Sequence, residues 1–337
     1  MKAVLLDPTG RDDLEFIRKF GPGIDLVAPD ASGGSADVLL PGAAAIVSRR
    51  VPVTGELMDA AGGSLRLVQL WSGRRDRVDL AAARARAIPV ALMPQAGCIA
   101  VAEQTLLLML GLSKKVVRGH EATVGGAYRG LGVEPIRTEE RRHRFQWMQF
   151  PGIFELHGRT LGLVGFGEIA TEVARRARAF GMEVVYWSRR RLEVEIEEEE
   201  GVRHRALPDL LAESDFVSLH VPLTAETERL VDAGALARMR PEAFLVNTCR
   251  GGVVDEDALV EALSSGRIAG AGLDVFLYEP VPHDHPLLRL ENVLLAPHLG
   301  GGSGGARAKH AQDLMANLAA LREGRPVRHL LGRTGAE

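Results

Sequence analysis

The stretch Thr160-Leu-Gly-Leu-Val-Gly165-Phe166-Gly167-Glu168-Ile169-Ala170, together with the helix-like segment and strand-like run behind it, limits the possible folds more than any other part of the chain. An apolar, β-branched run feeds a glycine turn. A segment with helical apolar spacing (Ala174, Ala177, Phe180) comes next, ends at Gly181, and leads into the strand-like run from Glu183 to Ser188. The predicted order is strand, turn, helix, strand. In such a unit Gly165 allows the tight turn, Gly167 lets the backbone approach a pyrophosphate, and the small residue at 170 lets helix and strand pack closely. The helix start would aim unpaired amides and the positive dipole end at the anion. A glycine loop in any α/β domain is the alternative reading of GxGxxA alone; the flanking strands and the chemistry further along favour a dinucleotide cradle.

A chain of 337 residues fits two domains, each able to bury its own core. The formal net charge of -3, with acids and bases interspersed, argues against nucleic acid or an anionic membrane as partner, so a small-molecule protein is expected. Cys98 and Cys249, the only cysteines, are too few and too distant for a disulfide framework or a zinc site. No metal is expected. A turn interrupts the apolar start before a signal-peptide core could form, and no apolar stretch reads as long enough to span a bilayer, which makes a cytoplasmic protein the expectation.

Up to residue 100, short apolar runs (Ala3 to Leu6, Asp25 to Ala28, Ala43 to Ser48, Leu65 to Leu70, Pro89 to Met93) alternate with turn signals and helical segments. This pattern predicts a parallel sheet with helices on its faces. The segment from Ile99 to Val117 is apolar nearly all round and reads as a buried helix at a domain crossing. A glycine-rich and then charged stretch between Arg118 and Phe154 reads as a solvated surface excursion, as does the acidic run from Glu193 to Glu200. Further strands at Asp215 to Val221, Ala243 to Cys249, Ile268 to Val275 and Val293 to Ala296 complete a doubly wound sheet. The helical spacing from Ser303 to Leu321 suits a tail that returns to the first domain.

Three clusters fall at strand ends, where α/β folds place ligands. In Val246-Asn-Thr-Cys-Arg250-Gly-Gly252, an arginine beside two glycines can present its fork to a carboxylate or carbonyl oxygen. In Leu273-Asp274-Val-Phe-Leu-Tyr-Glu279-Pro280, acids close an apolar run before a turn. In Ala296-Pro297-His298-Leu-Gly300-Gly301, a histidine comes after a strand, and histidine near an acid is the common general acid/base unit at neutral pH. Taken singly, each also reads as an ordinary turn or surface residue.

Together the clusters resemble the D-isomer-specific 2-hydroxyacid dehydrogenase family, which includes phosphoglycerate, glyoxylate/hydroxypyruvate and D-lactate dehydrogenases. The resemblance runs from Leu65 to Leu330 through Val101-Ala-Glu103, the glycine loop, His220-Val221-Pro222-Leu-Thr, Asn247-Thr248-Cys249-Arg250-Gly251, the aspartate and glutamate at 274 and 279, Pro297-His298, and Gly324-Arg-Pro-Val-Arg-His. It implies that Arg250 binds and polarises a 2-oxo acid, that His298 is the proton donor and acceptor at the 2-oxygen, and that Glu279 supports the histidine. Asp274 would hold the nicotinamide carboxamide. The cofactor would also touch Gly165, Phe166, Gly167, Glu168, Ile169, Ser188, Arg189, Arg190, His220, Val221, Pro222, Thr227, Thr248, Cys249 and Gly300. Ser72, Gly73 and Arg74 would join Arg250 around the substrate. The implied fold is a Rossmann doubly wound cofactor domain, residues 103–299, inserted in a smaller flavodoxin-like α/β substrate domain, residues 1–102 and 300–337, in a homodimer.

Two departures from the family pattern matter. Where members that use NAD carry an acid after the second strand, this chain has Ser188 followed by Arg189, Arg190 and Arg191; the lost repulsion and the added cations favour NADP(H), with NAD(H) still possible. In Trp71-Ser-Gly-Arg74-Arg75-Asp76, Arg74 stands where members show glycine in a loop whose amides grip the substrate carboxylate. Either that loop has changed shape or it takes an additional anionic group. The stretch from Tyr128 to Glu155 is longer than the family pattern and receives no role. The expectation is NAD(P)H-dependent reduction of a small 2-oxo acid to the D-2-hydroxy acid. A dinucleotide-sensing, corepressor-like interaction protein is the alternative; a formate dehydrogenase fits less well because of the acid at 279.

Overall fold

The computed structural model describes residues 1–31, 35–93, 96–301 and 306–331. Its first sheet is built from β1 (Lys2–Leu5), β2 (Asp25–Val27), β3 (Ala45–Ser48), β4 (Leu67–Leu70) and β5 (Val90–Leu92), all parallel, in the order β2-β1-β3-β4-β5. The strands β3, β4 and β5 are buried at every position, as a sheet covered on both faces requires. Between them run α1 (Arg11–Arg18), α2 (Gly55–Ala61) and α3 (Leu80–Ala85). Thr54 and Asp79 cap α2 and α3 by accepting from Leu57 N (3.4 Å) and Ala82 N (2.8 Å).

Helix α4 (Ala96–Lys114) then crosses to the second sheet and ends where Lys115 turns left-handed (φ 53°), after which α5 (Val116–Val124) begins the excursion. By length and composition alone the window Gly97–Lys114, mean hydropathy 1.2, is apolar enough to cross a membrane, which corrects the expectation that no stretch is. In the fold that apolarity serves a core: Ala102, Leu106, Leu108 and Met109 are buried with Leu161, Leu163, Ala170 and Val173.

The second sheet holds β6 (Thr160–Val164), β7 (Glu183–Trp187), β8 (Arg203–His204), β9 (Phe216–Leu219), β10 (Phe244–Asn247), β11 (Gly270–Leu273) and β12 (Val293–Leu295). All are parallel, in the order β12-β11-β10-β9-β6-β7-β8, the doubly wound order, whose switch point lies between β6 and β9. The connecting helices are α6 (Glu168–Ala179), α7 (Val194–Glu200), α8 (Leu207–Glu213), α9 (Ala233–Arg238) and α10 (Glu256–Ser264).

The acidic run to Glu200 is not the solvated loop expected. It is α7, with Glu197 and Glu200 buried. Glu197 accepts both fork nitrogens of Arg191 (2.9 Å each) and the Tyr186 hydroxyl (2.7 Å), and Glu200 takes Arg175 (2.7 and 2.9 Å). These partners are separated in sequence, so local charge composition does not reveal them.

Helix α11 (Ala306–Arg322) returns to the first sheet; Ser303, at the start of the predicted tail helix, and residues 332–337 lie outside the described residues. Leu314, Met315 and Leu318 are fully buried beside Leu5, Leu26 and Leu67, and such burial stabilises the docking by roughly 5–9 kcal/mol before ordering costs. A buried amide pair fixes the register: Asn317 Nδ2 donates to Gln69 Oε1 (2.8 Å), while Asn317 Oδ1 accepts from Arg328 N (3.1 Å).

Candidate active site

The ends of β10, β11 and β12 carry the three clusters. After β10, the side chain of the buried Asn247 folds the turn onto itself, donating to Arg250 O (3.0 Å) and accepting from Cys249 N (3.0 Å). Thr248 Oγ1 lies 3.0 Å from Thr105 Oγ1 of α4. A Cβ on Gly251 would strike the backbone of Phe276 and Leu277, so only glycine lets the Arg250 turn lie against the segment after β11. Arg250 itself is exposed at the tip, its Nη1 donating to Cys249 O (2.5 Å).

At the end of β11 the buried Asp274 accepts from Leu299 N (2.9 Å), Gly300 N (2.8 Å) and Gln104 Nε2 (3.1 Å). Three of the roughly four acceptor positions of a carboxylate are thereby filled by protein. Asp274 thus anchors the loop that presents His298, and one acceptor position remains for the carboxamide contact expected of it. His298 stands in the left-handed region (φ 54°), a conformation that costs about 1 kcal/mol and persists because the loop is pinned on both sides. Its Nδ1 is 2.6 Å from Glu279 Oε2, and Glu279 Oε1 accepts from Phe276 N (3.1 Å). Burial alone would raise the Glu279 carboxyl. The hydrogen bonds from His298 and the Phe276 amide, with the charges of His298 and Arg250, outweigh it and hold the group below the usual carboxylate range. Nδ1 being engaged, Nε2 of this half-exposed ring is the nitrogen left for a ligand.

The other titratable groups nearby suit proton transfer less well. Desolvation pushes His220 down to about 3, with Nε2 2.9 Å from Ser218 Oγ. Burial raises the Cys249 thiol and, with the charges of Glu168 and Glu172, pushes Cys98 up to about 12. Both thiols are therefore protonated at neutral pH.

The glycine loop fits a dinucleotide. Gly165 has φ 92°, and a Cβ there would sit 2.5 Å from His220 O, so glycine is required where β6 meets β9. Around Gly167 a Cβ would meet open space. The start of α6 has no side-chain cap, unlike α9 and α10, which Asp232 and Asp255 cap, so its amides remain for phosphate. Phe166 packs on Tyr186 (centroids 4.6 Å apart), with Ile169 half-buried in the first turn of α6. Thr227 closes the turn after β9, donating to Pro222 O (2.5 Å) and accepting from Thr224 N (2.8 Å), so it shapes the Val221-Pro222 wall.

Beyond β7, Ser188 Oγ donates to Arg190 O (2.5 Å). The next three arginines are not equivalent: Arg191 is held by Glu197, Arg189 pairs with Glu226 at 3.2 Å in the open, and among the described residues Arg190 has no ion pair.

The Ser72–Arg74 loop departs from expectation. Arg74 has ordinary extended backbone (φ −92°, ψ 123°), so arginine replaces glycine without strain. Its guanidinium is bound to Asp76 and to Phe166 O, and Arg75 pairs with Glu199 and, at 3.7 Å, Glu200. Neither adds a cation for a substrate; that expectation is corrected, because acids from α7 and the loop itself neutralise both. Ser72 Oγ accepts from Arg74 N (3.1 Å), Gly73 N donates to Glu168 Oε1 (3.2 Å), and Arg175 Nη2 donates to Gly73 O (3.3 Å). The loop is thus strapped to the glycine turn and α6. Sequence reasoning misses Gln104, Thr105 and Asn247 as site residues; the polar triplet Glu103-Gln104-Thr105 within an otherwise apolar helix is the available signal for the first two.

Comparison with known proteins agrees with this geometry. The model of the family described as D-isomer specific 2-hydroxyacid dehydrogenase, NAD binding domain, matches residues 106–300. The chain is 41% identical over 275 residues to a glyoxylate reductase of Korarchaeum cryptofilum, covering 81% of this chain and 77% of that protein. The TT0316 protein of Thermus thermophilus is 35% identical with a TM-score of 0.53, covering 98% of this chain and 100% of that one. An acyclic imino acid reductase solved with NADPH and D-Arg is 26% identical, TM-score 0.53, with coverage of 98% and 100%. The glycine cradle, the strand-end clusters and these similarities together lead to one conclusion: the chain belongs to the D-isomer specific 2-hydroxyacid dehydrogenase family and is an NAD(P)-dependent oxidoreductase that converts a 2-oxo acid to a 2-hydroxy acid.

Proposed function

We propose that the protein reduces a small 2-oxo acid to the D-2-hydroxy acid, with His298 as proton donor, Arg250 as carboxylate and carbonyl ligand, and NADPH preferred over NADH. The observation that carries this reading is the 2.6 Å pair of His298 Nδ1 and Glu279 Oε2, set on a loop that Asp274 pins beside the Arg250 turn. Bound nicotinamide supplies the hydride. Arg250 stabilises the charge that develops on the 2-oxygen, and His298 delivers a proton from Nε2 to that atom. Ionised Glu279 accepts from Nδ1 and fixes the ring, which leaves Nε2 for the substrate side. In the oxidation direction the same atoms act in reverse.

Two observations support the coenzyme preference: Ser188 brings no charge against a 2′-phosphate, and Arg190 is unpaired among the described residues. The NADPH in the imino acid reductase is consistent with it, as the glyoxylate reductase relative is with a small acid. The test is a panel of glyoxylate, hydroxypyruvate and pyruvate assayed with NADH and NADPH in parallel, with the product resolved by chiral chromatography. We expect kcat/KM to favour NADPH by about tenfold or more, the effect of a partly exposed arginine–phosphate pair. Equal values would refute the preference. No turnover of any 2-oxo acid would transfer the assignment to a dinucleotide-sensing interaction protein.

A further inference from the structure

The first sheet has its own switch point, between β1 and β3, where the chain leaves the strand ends in opposite directions. A cavity of ≈ 330 Å³ lies there, lined by Asp13, Phe16, Arg49, Trp71, Arg307 and His310 among others. Crevices outside the carboxyl ends of parallel strands at such points are where α/β folds bind ligands. Trp71 directly precedes the Ser72-Gly73 loop, and α11, which brings His310, is the first helix after the His298 loop. Two of the elements that line the cavity thus follow directly in sequence from, or lead directly into, loops of the candidate site.

Two of the ring nitrogens that line it are buried without a hydrogen-bond partner. Trp71 is 2% exposed, yet its Nε1 has no hydrogen-bond partner, and the buried Nε2 of His310 has none. The Arg49 guanidinium is stacked 3.7 Å above the Trp71 ring and, among the described residues, makes no ion pair. Asp7 does not neutralise it by contact, because its carboxylate accepts the backbone amides of Arg49 (2.6 Å) and Arg50 (2.9 Å). Asp13 is paired with Arg307, so Asp7 and Asp13 act on Arg49 only at a distance, and among the described residues no carboxylate is in ion-pair contact with it. Buried polar atoms left unpaired are costly, and an anion bearing several acceptors would take the Trp71 Nε1–H and the Arg49 guanidinium, and His310 in the tautomer that carries its proton on Nε2.

We propose that this cavity is a specificity subsite for a second acidic group, carboxylate or phosphate, on the far end of the substrate, with Arg49, Trp71 Nε1 and His310 as its ligands. The proposal rests on the 2-oxo acid reading above and narrows it to 2-oxo acids with an acidic tail. The position of the extra anion site is thus Arg49 and not the Arg74-Arg75 pair.

The test compares kcat/KM for 2-oxoglutarate, phosphohydroxypyruvate and the neutral-tailed 2-oxopentanoate, with glyoxylate as the tailless control, in the unmodified protein and in Arg49→Gln, Arg49→Lys and Trp71→Phe. The acidic-tailed acids should exceed 2-oxopentanoate by at least about tenfold, and Arg49→Gln should remove that advantage while leaving glyoxylate within about threefold. Arg49→Lys should restore part of it, and Trp71→Phe should keep the stack but lose a few-fold on acidic tails. The better of the two acidic substrates identifies carboxylate or phosphate as the natural tail. Equal rates for charged and neutral tails, or a loss in Arg49→Gln that is the same for every substrate including glyoxylate, would overturn the subsite. Calorimetric titration with glutarate against pentanoate gives a reading independent of turnover: tighter, Arg49-dependent glutarate binding supports the subsite even if no 2-oxo acid is reduced, and equal binding refutes it.

Discussion

Replacing Tyr186 by phenylalanine removes one oxygen from the interior of the second sheet, and its consequences can be worked through. The side chain is fully buried, so water does not take the place of the hydroxyl. That hydroxyl donates to Glu197 Oε1 (2.7 Å) and accepts from Leu192 N (2.9 Å). Glu197 keeps both bonds from Arg191, so the main loss is the Leu192 amide, and an orphaned buried group of this kind costs about 2 kcal/mol. For a domain of this size the melting temperature should fall by about 4–8 °C. The pH dependence has a definite sign. The hydrogen bond from Arg191, aided by the one from Tyr186 and opposed by burial, holds the Glu197 carboxyl below its ordinary value. Its contribution is therefore complete above the unfolded value, about 4.3, and is lost as pH falls through the folded one. Thermal melts of both proteins at pH 7 should differ most, and the gap should narrow in acid. Because Leu192 closes the 188–192 loop, KM for the dinucleotide should rise while KM for the 2-oxo acid stays constant. A melting temperature at pH 7 within about 1 °C of the parent would refute the reasoning.

Glu279→Gln keeps the shape of the acid/base pair but removes the charge that strengthens its bond to His298 Nδ1, so kcat/KM for reduction and for oxidation should both fall by about tenfold or more with dinucleotide affinity retained; a fully active variant would disprove the pairing. In Ser188→Asp combined with Arg190→Ala, the coenzyme preference should swing toward NADH by about tenfold or more, read from parallel kcat/KM values, and an unmoved ratio would rule out reading by this loop. Gly251→Ala places a methyl against the Phe276 and Leu277 backbone and must displace Arg250; kcat/KM for the 2-oxo acid should drop about a hundredfold with dinucleotide affinity retained, and a fully active variant would show that the close approach is dispensable.

Apart from the edge strand β8, whose Arg203 and His204 form no apolar run and which sequence reasoning misses, both sheets were legible in the sequence because their strands are short apolar runs bounded by turn residues. The strand-end residues Arg250, Asp274 and His298 were legible for the same reason: a polar residue that terminates an apolar run marks the edge of a parallel sheet. Long-range charge pairing was not legible. Glu197 and Glu200 look solvated in sequence because their partners, Tyr186, Arg191 and Arg175, are recognisable only once α7 has folded back. Arg74 and Arg75 looked like ligands for the same reason in reverse, since Asp76, Glu199 and Glu200 neutralise them. Arg49, which has no contact ion pair among the described residues, sits in an unremarkable Ser-Arg-Arg turn, and nothing local distinguishes it from Arg50.

The strap across the crevice makes ligand entry a matter of exchange. Gly73 N–H holds the Glu168 carboxylate, Arg74 holds Phe166 O, Arg175 holds Gly73 O, and Arg75 holds Glu199. A substrate carboxylate that bound at Gly73, as the family resemblance implies, would displace one anion and would not fill an empty seat, so its gain would be the difference between two similar hydrogen bonds. Specificity then depends on contacts that Glu168 cannot imitate, those deeper in the crevice. The ionic members of the strap are partly exposed and weaken as salt screens them, so dissolved ions should loosen the tie between the Arg75 loop and α7.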